Sequence, residues 1–202
     1  MLTALILLFA TVAGRAEPVK IVGFGDSLMA GYQLGPGEGF TDRLQAALTQ
    51  QGHDVEVANA GVSGDTTTGG LARLDWSVPD ETDLVILELG ANDALRGISP
   101  EITRQNLDTM IGKLTGRGIN VLLAGMLAPP NMGNSYGSAF NAIFPELADK
   151  HNVVLYPFFL DGVAAQPDKL LADGMHPNAA GVEAMVTGIL PHVIGLLGQL
   201  SQ

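Results

Sequence analysis

The chain contains no cysteine. Disulfides, thiolate metal sites, cysteine nucleophiles and lipid attachment through cysteine are therefore excluded. Charge is scarce: Asp, Glu, Lys and Arg make up 15% of 202 residues. Basic charge is scarcer still, with 10 Lys plus Arg against 21 acids and a net charge of −11. No Lys/Arg run or basic patch is visible, so nucleic acid is not an expected partner. Aromatic residues are few, at 5%. What remains is a chain that is 47% hydrophobic. That composition belongs to a globular protein, and the length suits one domain with a sizeable core.

The N-terminus carries an apolar run from Leu2 to Val12. It is shorter than the roughly 20 residues a bilayer-spanning helix needs, so no stable membrane anchor is expected. Gly14 and Ala16 follow in an alternating small-residue pattern before Glu17-Pro18. This reads as the hydrophobic and cleavage regions of a signal peptide, although a charged leader is missing. Residues 1–16 are assigned to that signal and 17–202 to a single domain. A periplasmic or secreted protein is expected.

Apolar stretches at Val19–Gly25, Val55–Ala58, Leu84–Leu89, Val121–Gly125 and Val153–Leu155 read as strands. "LVILEL" at 84–89 is nearly continuous, as in a sheet covered on both faces. Between the strands lie helical patterns at Thr41–Gln51, Gly70–Leu74, from Ser99 onward, and near Ser138–His151. Ser99 suits an N-cap and Pro100 the first helical position. Asn178 caps a last helix running to about Leu200, with Pro191 as a kink. Alternation of this kind predicts a parallel sheet sandwiched by helices. There is no internal repeat, low-complexity tract or linker.

In open α/β sheets, ligands bind beyond the carboxyl ends of the strands. Polar residues collect at those ends here. The first strand runs into Gly25-Asp26-Ser27, the second into Gly61, Ser63, Gly64 and Asp65, the third into Gly90, Asn92 and Asp93. A loop after the fifth carries Asp173 and His176. Turns account for the glycines but not for this set of side chains. Acyl transfer does need these types. A serine hydroxyl is a weak nucleophile that requires a base, for which His176 is the candidate. Asp173, three residues earlier, is placed to orient its imidazole. The N–H groups of Ser27 and Gly64 and the Asn92 amide are candidate donors to an oxyanion.

The blocks "GDSL" at 25–28, Gly64 in "GVSGDTT", "GAND" at 90–93 and "DGMH" at 173–176 occur in order. Together they resemble the SGNH, or GDSL, family of serine hydrolases. "GLARL", "ELGANDALRG" and "YPFF" are similar to its compact bacterial thioesterase/arylesterase/lysophospholipase branch. Ala91 stands where many relatives carry glycine. The resemblance implies a flavodoxin-like α/β/α sandwich with a five-stranded parallel sheet. It implies Ser27 as nucleophile, Asp173–His176 as base pair and Ser27, Gly64 and Asn92 as oxyanion donors. Small acyl esters or thioesters are the implied substrates, with no cofactor or metal. Carbohydrate O-acetyl ester cleavage is the alternative activity, and a non-catalytic lipid- or carbohydrate-binding module the alternative class.

Several residues have plainer readings. Ser27 also reads as a helix cap and Asn92 as a turn cap. Gly23-x-Gly25 opens like a dinucleotide fingerprint but lacks its third glycine. Asp173 and His176 lack a third metal ligand. Asp26, Asp65 and Asp93 are expected to bond local backbone. His53, His151 and His192 lie off the motif edge. Met126, Leu127, Pro129 and Pro130 are candidates for lining an acyl pocket, with core packing or a plain loop as the other reading.

Overall fold

The computed structural model describes residues 17–200. The expected signal at 1–16 lies outside the described residues. The chain opens with β1 (Val19–Gly25), a short helix α1 (Ser27–Ala30) and α2 (Phe40–Gln50). Next come β2 (Val55–Gly61), α3 (Thr67–Ser77), β3 (Leu84–Glu88), α4 (Ala91–Leu95) and α5 (Pro100–Gly116). Then follow β4 (Asn120–Ala124), α6 (Asn134–Asn141), α7 (Ile143–His151), β5 (Val154–Tyr156) and α8 (Ala179–Leu200).

The strands form one five-stranded sheet in the order β2-β1-β3-β4-β5. Every pairing is parallel. This is the flavodoxin-like order, whose direction reverses between β1 and β3. The register aligns Gly25 with Gly61 on one side and with Glu88 on the other, and Glu88 with Ala124. Four strands thus end level with one another, and their following loops share one rim. All five β3 residues are buried, as a strand covered on both faces requires. Helix α2 packs on α8, and α5 packs on both α3 and α7.

Among the described residues, α8 is the one helix long and apolar enough to cross a membrane. Its stripe of Val182, Met185, Val186, Ile189, Val193, Leu196 and Leu197 is buried, which makes it a core helix here. Asn178 Oδ1 accepts the Gly181 N–H at 3.0 Å, the expected cap. Pro191 lies inside α8, which continues to Leu200.

The helix expected near 138–151 is two helices meeting at Ala142. Pro145 explains the break: it has no N–H to bond Asn141, and its ring clashes with that carbonyl in a continuous helix. Helix α3 is longer than Gly70–Leu74. Gly69 and Gly70 weaken its signal, yet both are needed for close packing. A Cβ at 69 would collide with the Asp65 carboxylate, and one at 70 with Leu89.

Candidate active site

Ser27 is the first residue of α1, immediately past the end of β1. The turn that places it is tight. A Cβ at residue 25 would collide with the carboxyl and backbone carbonyl of Glu88, so only glycine fits. Asp26 caps α1 by accepting the Leu28 N–H at 3.0 Å. Ser27 itself is not the cap. Its Oγ lies 2.9 Å from His176 Nε2.

His176 sits on the loop before α8. Its Nδ1 is 2.7 Å from Asp173 Oδ2. Asp173 Oδ1 accepts the N–H groups of Met175, at 2.9 Å, and His176, at 3.0 Å. Those backbone donors, with the imidazole behind them, hold the Asp173 carboxyl at a pKa of about 2. An ionised carboxylate only accepts, so the proton sits on Nδ1 and is donated to it in a hydrogen bond, which leaves Nε2 to accept from the Ser27 hydroxyl. The Tyr32 ring lies against the imidazole, with centroids 4.5 Å apart. Residues from two ends of the chain therefore form one hydrogen-bonded line.

The candidate oxyanion donors come from two further loops. Gly64 has φ +82°, a left-handed conformation suited to glycine. Its carbonyl accepts from Arg96 Nη2 at 2.7 Å. Among the described residues, the N–H groups of Ser27 and Gly64 have no protein acceptor. Asn92 lies in α4, and its Nδ2 donates to Asp26 Oδ2 at 2.8 Å.

The other acids correct the expectation of local backbone bonding. Only Asp26 makes such a bond. Asp65 pairs with Arg73 at 2.7 Å. Asp93 is fully buried and accepts from the Thr67 N–H at 2.8 Å, from the Thr67 hydroxyl and from the Thr103 hydroxyl at 3.0 Å. Both acids therefore fasten the loop after β2 to its neighbours. His151 pairs with Asp108, and His192 packs its ring on Tyr156. His53 lies just beyond α2, and all three stand apart from the Ser27–His176 line.

Of the apolar residues expected to line a pocket, Met126 belongs to the core, at 2% exposed. Gly125 donates to the Tyr156 carbonyl and accepts from the Phe159 N–H, both at 2.8 Å, so the backbone just before Met126 stays tied to the end of β5. Leu127 is exposed, Pro129 is half-buried and Pro130 is exposed. Leu127 is one of several large apolar side chains on the rim. Tyr32, Val62, Leu95 and Leu127 follow β1, β2, β3 and β4, and Met175 lies on the loop after β5; all are exposed.

Sequence reasoning passed over Glu88, Arg73, Arg96 and Tyr32. Glu88 had a signal: it is the one acid inside the apolar run 84–89. The others depend on which loops the fold brings together.

A parallel α/β sheet that aligns serine, histidine and aspartate at its carboxyl rim defines the class of serine hydrolases. Residues 24–184 match the GDSL-like Lipase/Acylhydrolase family. The arylesterase of Vibrio mimicus is 42% identical over 178 residues, covering 88% of this chain and 89% of that protein. Thioesterase 1/protease 1/lysophospholipase L1 of Escherichia coli is 36% identical over 167 residues, covering 82% and 78%. The crystal structure of TesA superposes with a TM-score of 0.83 at 39% identity, covering 88% of this chain and 99% of that one. The chain belongs to the GDSL family and is a carboxylic ester hydrolase.

Proposed function

We propose that the protein cleaves esters and thioesters of small acyl substrates through an acyl-enzyme on Ser27. The observation that carries this is the unbroken line from Ser27 Oγ through His176 to Asp173. The Ser27 oxygen attacks the substrate carbonyl and its proton passes to His176 Nε2. Asp173 stabilises the imidazolium without taking the proton. The N–H groups of Ser27 and Gly64 and the second N–H of Asn92 receive the oxyanion. Collapse breaks the bond to the leaving alcohol or thiol, which departs with the proton from His176. Water then repeats the sequence, with His176 as base, and releases the acid. The apolar rim favours acyl chains over sugars as the group held beside Ser27. Thioester cleavage is further supported by the thioesterase relative. In this reading, residues 17–202 are one hydrolase domain, exported to the periplasm or beyond behind the leader at 1–16.

Ser27→Ala tests it. Hydrolysis of an aryl ester should fall to background, and labelling by a fluorophosphonate should disappear. The melting temperature should stay near wild type, because the hydroxyl adds little packing. A Ser27→Ala protein that still formed an acyl-enzyme would overturn the assignment.

A further inference from the structure

Beneath Ser27 lies a pair of carboxyl groups that the proposed chemistry does not use. Glu88 ends β3 and is completely buried. Its Oε2 accepts the Asp26 N–H at 3.1 Å. Among the described residues its Oε1 has no partner. Asp26 is buried beside it and divides its own oxygens between two donors. Oδ1 takes the Leu28 N–H at 3.0 Å and Oδ2 takes the Asn92 amide at 2.8 Å. The two carboxyls thus bind the N–H groups of residues 26 and 28 and leave that of Ser27 unclaimed. They also hold one of the two N–H bonds of the Asn92 amide.

We infer that Asp26 and Glu88 are positioning residues of the oxyanion site: the pair holds one negative charge, on Asp26, which orients the Asn92 amide toward the substrate oxygen. This rests on the roles given above to Ser27 and Asn92.

Two carboxylates buried side by side, with no cation bonded to either among the described residues, cannot both stay ionised without large cost. Glu88 is the one that stays neutral. It is the more deeply buried and it has an oxygen with no donor. Burial, and then the charge on Asp26, push its pKa well above the usual range. Asp26 keeps the charge because two donors face it. Burial lifts its pKa to about 6, against the pull of the Leu28 N–H and the Asn92 amide. Other groups face it from each neighbouring element. His176 on the loop before α8 favours its charge, and Asp65 after β2 opposes it. Asp65 is itself paired with Arg73 of α3, whose Nη2 donates to the Gly25 carbonyl at 2.8 Å.

Near neutral pH the carboxylate is an obligatory acceptor, so the Asn92 amide has one orientation. Below the Asp26 pKa the acid is neutral, and the amide loses its charged anchor. Activity in acid is then lowered as Asp26 takes up its proton.

The test is a kcat–pH profile for aryl ester hydrolysis by wild type, Asp26→Asn and Glu88→Gln. In wild type, the acid limb of log kcat should contain a drop of about 10- to 100-fold where Asp26 titrates, at a pKa of about 6. In Asp26→Asn that drop should be absent. At pH 8 its kcat should be about 10- to 100-fold lower from misplacement of the amide, with KM within about twofold. Its melting temperature at pH 8 should equal or exceed that of wild type, because a buried charge is gone. A bond that was only structural would lower the melting temperature and leave the drop in place, and that result overturns the inference. Glu88→Gln replaces one neutral group by another and keeps an acceptor for the Asp26 N–H. The drop at the Asp26 titration should stay where it is in wild type, and a drop moved to lower pH by about one pH unit or more, as the loss of a neighbouring negative charge would produce, also overturns the inference. If Ser27→Ala stays active, the hydrolytic assignment itself fails. If Ser27→Ala is dead and Asp26→Asn keeps the wild-type profile, only the positioning role fails.

Discussion

Arg73 and Asp65 form a largely buried ion pair, with Nε 2.7 Å from Oδ2. The same guanidinium donates to the carbonyls of Ala60 and Gly25, both at 2.8 Å, and lies 4.0 Å over the Phe24 ring. One side chain therefore clamps the ends of β1 and β2, the strands that lead to Ser27 and Gly64. Arg73→Met should cost about 3–5 kcal/mol, because it leaves a buried carboxylate without its cation and takes one donor from each of two carbonyls. For a chain of this length that lowers the melting temperature by on the order of 10 °C. Arg73→Lys should recover only part, since one ammonium cannot serve three acceptors in the guanidinium's geometry. Thermal melts of both variants check this. A loss under about 1 kcal/mol would mean that the clamp is weak, as exposed pairs are.

Much of this fold was legible because its signals are local. The run 84–89 reads as a central strand because every residue of β3 faces a covered side. The edge strand β2 is harder to bound. Its last five residues are exposed or half-buried, so the apolar pattern fades before the pairing ends at Gly61. The site blocks were legible because glycine, serine and asparagine closely follow strands, and Asp173 and His176 stand three residues apart in one loop. Their partners were not. The sequence shows that Asp93 is an acid after β3, but its acceptor role toward Thr67 and Thr103 exists only once α3 and α5 lie against α4. Glu88 in an apolar run signalled a buried polar function without naming Asp26.

Stability should rise as pH falls from 8 to about 5. Asp26 binds its proton more tightly folded, at a pKa of about 6, than at its ordinary 3.8. Its contribution is fully present below the unfolded value and is lost as pH rises through the folded one. That shift corresponds to on the order of 3 kcal/mol. Glu88 acts in the same direction. Asp108 and Asp173 act in the opposite one, because Lys150 and backbone donors respectively lower their pKa values. Their contribution is present above the unfolded value and fades as pH falls toward about 2 for Asp173. Melting temperature against pH should therefore peak in mild acid. Asp26→Asn should flatten the limb between 5 and 8, and an unchanged limb would place the titration elsewhere.

The rim predicts how chain length is read. Leu127 is 48% exposed on the loop after β4, where it is expected to meet substrate only if the acyl group extends along the rim. Leu127→Asp should raise KM for an octanoyl ester by about tenfold, the value of one lost apolar side-chain contact. The acetyl ester of the same alcohol should be unaffected within about twofold, because its chain is too short to reach the rim. Equal losses on both esters would show a distorted site instead of a lost acyl contact.

Asn92 is the residue whose role the structure makes most testable, because its amide has two separate tasks. One N–H is committed to Asp26 at 2.8 Å. The other is the donor to a developing oxyanion, which carries full charge only near the transition state. Asn92→Ala removes both. Loss of the first leaves Asp26 Oδ2 unpaired and should lower stability by about 1–3 kcal/mol. Loss of the second should lower kcat by about 10²–10³, with little change in KM. The two are separable by temperature and by pH. Assays well below the melting transition remove any unfolded fraction, so the kcat loss should persist there in full. At pH 5 Asp26 is mostly protonated, and the stability loss should shrink. Fluorophosphonate should still label Ser27, more slowly, because His176 and Asp173 are untouched. A variant with lowered melting temperature and wild-type kcat would reduce Asn92 to a structural donor and remove it from the oxyanion site.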